Sequence, residues 1–227
     1  LDYKRHNPKT LDEIPIVPWL RDSDKLRSVA VFREYQFDWA ERIAIDALLD
    51  ARRMGASVHN YTRVDGLERL GSDGDWRLSL RSATEDGNEG HGYVTETAQV
   101  TAALVLNLAG AWVDQIIQNT GHTAKQKCVG LKGVHIAVRL PEQFNDWGLF
   151  AYNSIGEPLY CLPWHGIHYI GLTRTPFVGD ATGATATDDE IDWMINETNR
   201  CLPKLALKRS DILFTWVGVQ PVTFDPG

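Results

Sequence analysis

Few residues of this 227-residue chain have types and spacings that could do chemistry. Lys132 and His135, in KGVHIAVR, put a cation and an imidazole near the start of a strand-like run. An imidazole titrates near neutral pH, so it can take or give a proton there. An isolated histidine at a strand start also serves structure, and spacing alone leaves both readings open. His165 and His168 are spaced HxxH. On a strand or turn that spacing sends the rings to opposite faces, which argues against a shared metal. Cys128, Cys161 and Cys201 are far apart, odd in number and without CxxC spacing, so they read as free thiols of a reducing compartment. The sequence has no serine nucleophile elbow and no P-loop. Gly87, Gly90 and Gly92 come nearest to a dinucleotide fingerprint, but they sit on a polar hairpin tip and open no helix.

A second candidate is backbone rather than side chain. Leu104 to Thr120 reads LVLNLAGAWVDQIIQNT. The apolar run Ala103 to Leu108, broken only by Asn107, predicts a buried strand. Ala109, Gly110 and Ala111 make a turn of almost no side-chain bulk. Trp112, Val113, Ile116 and Ile117 then recur at helical spacing, with Asp114 in the first turn and Gly121 as C-cap. Such an elbow lets backbone approach a flat or anionic ligand closely. A strand–helix junction that is merely tightly packed fits the same spacing.

The elements that must position these residues fall into two textures. Ser28 to Phe37 alternates as a strand, and Asp38 with Glu41 predicts an N-cap. Ala40, Ile43, Ala44, Ala47, Leu48 and Ala51 give a helix one apolar face, ended by Gly55. Ala56 to Val64 reads as a second strand. Trp76 to Arg81 and Tyr93 to Val100 form a meander, so residues 28–121 read βαβ, meander, βα. Residues 1–27, with Pro8, Pro15 and Pro18, read as an irregular or partly helical approach.

From Lys125 onward strand follows strand: Lys127 to Arg139, Gly148 to Asn153, Leu159 to Pro163 and His168 to Thr173. A helix then opens on the capping box Thr187-Asp188-Asp189-Glu190, buries Ile191, Met194, Ile195, Thr198 and Leu202, and stops at Pro203. Ile212 to Val219 is a last strand. The expectation is a mixed α/β and α+β chain with two parts, residues 1–124 and 125–227, the second an antiparallel sheet covered by a helix.

Composition bounds the partners. Hydrophobic content of 43% and charged content of 23% are ordinary for a globular protein. A net charge of −7 with no basic run argues against nucleic acid. No apolar run approaches membrane-spanning length, and no signal peptide is visible. Of the eight tryptophans, Trp112, Trp164 and Trp216 lie beside elbows or strand ends, where core packing is the default role. The chain opens on Leu1 and stops at Asp225-Pro226-Gly227, which suggests a piece excised from a longer protein.

Taken in order, five segments resemble the FAD-dependent glycerol-3-phosphate dehydrogenases, in the flavoprotein group that includes D-amino-acid oxidase. They are DALLDARRMGASVHNYTRV (Asp46 to Val64), VLNLAGAWVD, GLKGVHIAVR, IGLTRT (Ile170 to Thr175), and DDEIDWMINETNRCLP followed by WVGVQP (Trp216 to Pro221). The resemblance runs from about Tyr35 to Pro221. It implies a partial FAD-binding domain in residues 1–124 and a substrate-binding antiparallel sheet in 125–227. It places Ala109, Gly110 and neighbouring Trp112 against FAD, with the Val64 region toward the adenine side. It makes His135 the base beside the substrate, and brings Lys132, Arg174 and Gln220 to the substrate. The implied reaction oxidises a phosphorylated polyol, glycerol 3-phosphate by default, to its ketone. The family passes electrons to membrane quinone or another acceptor, so a cytoplasmic location, peripheral on the inner face of the membrane, is the corresponding expectation.

Three departures qualify that picture. The glycine-rich FAD loop and the last flavin-binding segment are not in this sequence, so this piece alone should hold FAD poorly and be inactive. The family's GVRP is here Gly218-Val219-Gln220-Pro221, which exchanges a substrate-engaging arginine for glutamine. Losing one charge-assisted contact costs about 1.5–3 kcal/mol. The family's TTD is here Leu172-Thr173-Arg174, an acid replaced by a cation that could restore the lost charge. Another polyol phosphate as substrate, or a ligand-binding homologue without turnover, are the alternatives. An amine or amino-acid oxidase fits the elbow but not the Asp188 helix followed by GVQP.

Overall fold

The computed structural model describes residues 3–72, 74–85, 93–121 and 125–225. Its elements are β1 (Tyr3–His6), β2 (Val29–Phe32), α1 (Ala40–Arg53), β3 (Thr62–Arg69), β4 (Trp76–Glu85), β5 (Tyr93–Ala102), α2 (Val113–Gln118), β6 (Cys128–Val138), β7 (Leu149–Tyr152), β8 (Pro158–Trp164), β9 (Ile167–Gly171), β10 (Thr175–Phe177), α3 (Asp188–Cys201) and β11 (Ile212–Thr223). They form two compact units. One comprises the chain up to Asp38 with Gly130–Gln220, the other Trp39–Val129 with the residues from Pro221. The division therefore falls at Gly130 inside β6 rather than at residue 124, and the N-terminal segment belongs with the later sheet.

In the first unit the sheet runs β10-β6-β9-β8-β7, and β11 also pairs with β6. The pairs β10–β6, β6–β9, β9–β8 and β8–β7 are antiparallel. One face is closed by α3, whose capping box forms as the sequence predicts. Thr187 Oγ1 accepts from the Glu190 amide at 3.3 Å, and Glu190 Oε2 accepts from the Thr187 amide at 2.9 Å. Met194, Ile195 and Leu202 pack on Ile136, Val138, Leu159, Cys161 and Ile170. The expected approach segment joins this core. Three 3-10 turns (Leu11–Glu13, Val17–Trp19, Ser23–Lys25) follow β1, and this stretch buries Leu11, Ile14, Ile16 and Val17.

The expected βαβ arrangement does not form. β2 takes Tyr3–His6 as its antiparallel partner, while β3 pairs antiparallel with β4. Tyr61 has φ +51°, which interrupts an extended run through Ala56 to Val64 and delays β3 to Thr62. Nor does Asp38 cap α1. The N-cap is Trp39, without a side-chain cap bond, and the Asp38 carbonyl accepts from Trp164 Nε1 at 2.7 Å.

The second unit holds the meander β3-β4-β5, with a bulge between Val64 and Gly66. The expected meander is present, and its tip with Gly87, Gly90 and Gly92 lies outside the described residues. No residue of α1 is buried, although its apolar stripe is as the spacing predicts. The predicted strand Ala103 to Leu108 is absent. Past Ala102 the run pairs with no described strand, and Leu104, Leu106 and Leu108 are 72%, 72% and 87% exposed. An apolar alternation needs a neighbouring strand to become one, and the described residues offer none here.

Candidate active site

Strand β6 decides where the candidate chemistry lies. Successive side chains of a strand point to opposite faces. Lys132, Val134, Ile136 and Val138 are buried on the α3 side. Leu131, Gly133 and His135 instead line a groove of about 430 Å³ with Leu172, Thr173, Arg174 and residues 216–220. Lys132 is thus separated from His135 by the sheet itself. Its Nζ lies 2.8 Å from Glu190 Oε2 and donates to the Thr185 carbonyl at 3.0 Å, both charged side chains being only 10–12% exposed. This corrects the placement of Lys132 at the substrate: it ties β6 to α3. Burial works against ionisation of Glu190, but the hydrogen bonds from Lys132 and Thr187 and the lysine charge prevail and hold its carboxyl below the usual range.

His135, Arg174 and Gln220 do share the groove. Burial of the His135 imidazole lowers its pKa, because the charged form loses its hydration. The ring packs edge-on against Tyr169 with centroids 5.9 Å apart. An imidazole kept neutral in this way can accept a proton at physiological pH. Arg174 is the only Lys or Arg in the groove lining among the described residues, and it is already paired, with Nη1 3.2 Å from Glu157 Oε2. The Thr173 hydroxyl accepts from the Val134 amide at 3.0 Å, which fixes the irregular stretch after β9 beside β6.

Sequence reasoning missed the aromatic floor of this groove. Trp216 lines it, with ring centroids 4.8 Å from Phe214, 5.6 Å from Trp164 and 5.7 Å from Tyr169. The signal was available: Trp216, Gly218 and Gln220 share one parity on β11.

The elbow residues belong to the second unit. Asn107 holds the turn from both sides, accepting from the Ala109 amide at 3.3 Å and donating to the Val113 carbonyl at 2.9 Å. Gly110 has φ +55°, and a methyl there would meet nothing within 4 Å. Helical geometry starts as a 3-10 turn, Gly110–Trp112, before the short α2. Gly121, at φ +71°, is not the expected C-cap: α2 ends at Gln118 with Asn119 as its cap, and Gly121 lies two residues beyond. Asp114 serves the start of β6 rather than only its own helix, accepting from the Lys127 and Cys128 amides at 2.8–3.1 Å. Val64 is half-buried in β3 opposite Leu80. Thus Val64, Ala109, Gly110 and Trp112 lie in one unit, while His135, Arg174 and Gln220 lie in the other.

The HxxH pair is separated by environment. His168 is buried with Nε2 3.0 Å from the Phe144 carbonyl, and His165 sits exposed on the β8–β9 turn at φ +46°. The three cysteines are unbridged, and burial pushes the Cys161 thiol up to about 12, far from thiolate chemistry. No helix among the described residues is long and apolar enough to cross a membrane.

Fold and groove together describe an α+β protein with a partly buried imidazole beside an open groove on its sheet. The chain belongs to the FAD dependent oxidoreductase family, which it matches over residues 22–227. It is 31% identical over 210 residues to a glycerol-3-phosphate dehydrogenase of Synechocystis sp., covering 89% of this chain and 37% of that protein. It is 28% identical to an aerobic glycerol-3-phosphate dehydrogenase of Staphylococcus haemolyticus, covering 96% of this chain and again 37% of the relative. The chain therefore spans little more than a third of these relatives. Its fold is similar to that of the glycerol-3-phosphate dehydrogenase from Bacillus halodurans, solved with FAD, at TM-score 0.82 and 23% identity over 97% of this chain and 42% of that one. A weaker likeness, at TM-score 0.63 and 17% identity, is to an L-proline dehydrogenase from P. horikoshii, over 96% of this chain and 52% of that one.

Proposed function

We propose that this chain is the substrate-side portion of a FAD-dependent polyol-phosphate dehydrogenase, with glycerol 3-phosphate the default substrate and His135 the base. The observation that carries the reading is His135 itself, a half-buried imidazole held neutral beside an open groove. The names of the relatives support the substrate class.

The residues present fit the ring end of the cofactor. The groove is mainly apolar, and at Gly218 a methyl would project into space with nothing within 4 Å, so a flat ring can lie against backbone. When bound, FAD supplies the hydride acceptor. His135 takes the proton of the substrate hydroxyl on its unprotonated nitrogen as the C–H bond breaks, and Gln220 and Arg174 hold the far end of the substrate.

A second substrate is favoured by one feature: Gln220 is neutral and Arg174 is engaged by Glu157. Polyol phosphates other than glycerol 3-phosphate share the chemistry and differ in length. The test is anaerobic bleaching of bound flavin in the full-length protein by a panel of polyol phosphates, with His135→Asn beside the wild type. The variant should keep its flavin and reduce it about 10²- to 10⁴-fold more slowly. Undiminished bleaching by His135→Asn would remove His135 from the reaction, and flavin that no polyol phosphate bleaches would favour a binding protein without turnover.

A further inference from the structure

Gly171 closes β9, opposite His135 on β6 and opposite Tyr160 on β8. A methyl built on Gly171 would lie 2.1 Å from His135 Cδ2, 2.6 Å from Cγ and 2.7 Å from Nε2. No side chain reaches such distances, so the imidazole occupies the space a side chain at 171 would need. The two glycines that line the groove differ. At Gly133 a methyl would meet the end of the Leu172 side chain at 3.2 Å, and at Gly218 it would meet nothing. Gly171 has no left-handed φ, and the first thing a side chain there would meet is the imidazole ring.

We propose that Gly171 is a positioning residue for His135: the absent side chain is the seat on which the imidazole leans across the ladder and is aimed at the groove. The proposal rests on the reading of His135 as the base. Tyr169, two residues earlier on β9, bounds the ring at 5.9 Å and is itself backed by Trp216 at 5.7 Å. A side chain at 171 therefore cannot be absorbed by sliding the imidazole toward Tyr169, and it drives the ring outward. The ionisable groups on this face are the Tyr169 and Tyr160 phenols and the Arg174 guanidinium with its partner Glu157; Lys132 lies on the other face. A ring pushed out of its seat regains water, so its titration moves up toward the ordinary histidine value.

The test is a cycle of Gly171→Ala, His135→Ala and the double variant in the flavin-loaded full-length protein. It reads flavin content, thermal melting, kcat and KM, and the His135 resonance in ¹⁵N-histidine NMR titrations, assigned by its loss in His135→Ala. Gly171→Ala is expected to retain flavin, lower kcat about 10²-fold as a 1 Å misplacement does, leave KM nearly unchanged, and raise the His135 titration midpoint. In the His135→Ala background the same substitution should change nothing. An equal loss in that background, or an unmoved midpoint, overturns the proposal. If Gly171→Ala does not fold, the double variant decides. Folding restored by His135→Ala assigns the clash to the imidazole, and failure of both overturns the seat. His135→Ala with full turnover would instead overturn the reading beneath it, while the midpoint still reports on the seat.

Discussion

The two faces of β6 use similar residue types for opposite ends. On the α3 face a lysine meets a glutamate at 2.8 Å, both nearly buried and both charges spent on each other. On the groove face an imidazole stands beside Tyr169, no described residue hydrogen-bonds it, and burial holds it neutral. Lys132 and His135 are three residues apart, which on a helix would make them neighbours and on a strand puts a sheet between them. The α3 face should therefore govern stability and the groove face turnover.

The sharpest separation is Glu190→Gln, which leaves Lys132 buried without its counter-charge. Breaking such a pair costs about 3 kcal/mol, the low end of the range for buried pairs since each side chain keeps about a tenth of its surface in water. Denaturant unfolding should show that loss while the rate of flavin reduction per folded molecule is unchanged. The pH dependence has a definite sign. The folded carboxyl of Glu190 lies below its ordinary value of 4.5, so its contribution is full above that pH and is lost as pH falls through the folded value. The Gln variant should lack that part of the acid slope. A rate defect in Glu190→Gln would show that the two faces are not independent.

Thr187→Ala makes a smaller cut on the same face. It removes the oxygen that accepts from the Glu190 amide, at about 1 kcal/mol for an N-cap. Because Glu190 also belongs to the Lys132 pair, the effects of Thr187→Ala and Glu190→Gln should not add. Chemical unfolding of the single and double variants measures the coupling, and strict additivity would mean that cap and ion pair act separately.

How much of this was legible in the sequence follows the range of the forces. The α3 cap and most of its stripe are local and legible from Thr187 to Leu202, although Ile191 is only half-buried and Glu197 and Cys201 are buried as well. The strand succession after Lys125 was also local, as each run is bounded by turn residues. What failed were choices of partner. β2 has a strand pattern whatever it pairs with, and nothing in its own residues names Tyr3–His6 rather than a parallel neighbour. Lys132 is a different case, because the period-two rule that separates His165 from His168 separates Lys132 from His135 equally. Gly171 was invisible for a better reason: IGLTRT contains no sign that the space above its glycine belongs to a ring on another strand.

Arg174→Ala probes the groove face and should barely touch stability. Its pair with Glu157 joins side chains 47% and 39% exposed, and such pairs contribute about 0–1 kcal/mol. Water takes over much of what Glu157 gives, so the melting temperature should move little. Binding is another matter, because Arg174 carries the only Lys or Arg charge among the described lining residues and Gln220 offers none. An anionic substrate group that displaces Glu157 gains a charge-assisted contact of about 1.5–3 kcal/mol. Arg174→Ala should then raise KM for the phosphorylated polyol at least tenfold with kcat retained. Glu157→Gln should lower it, since the guanidinium no longer has to be released. Equal KM values in both variants would show that Arg174 answers only to Glu157, and that the groove binds its substrate through neutral groups alone.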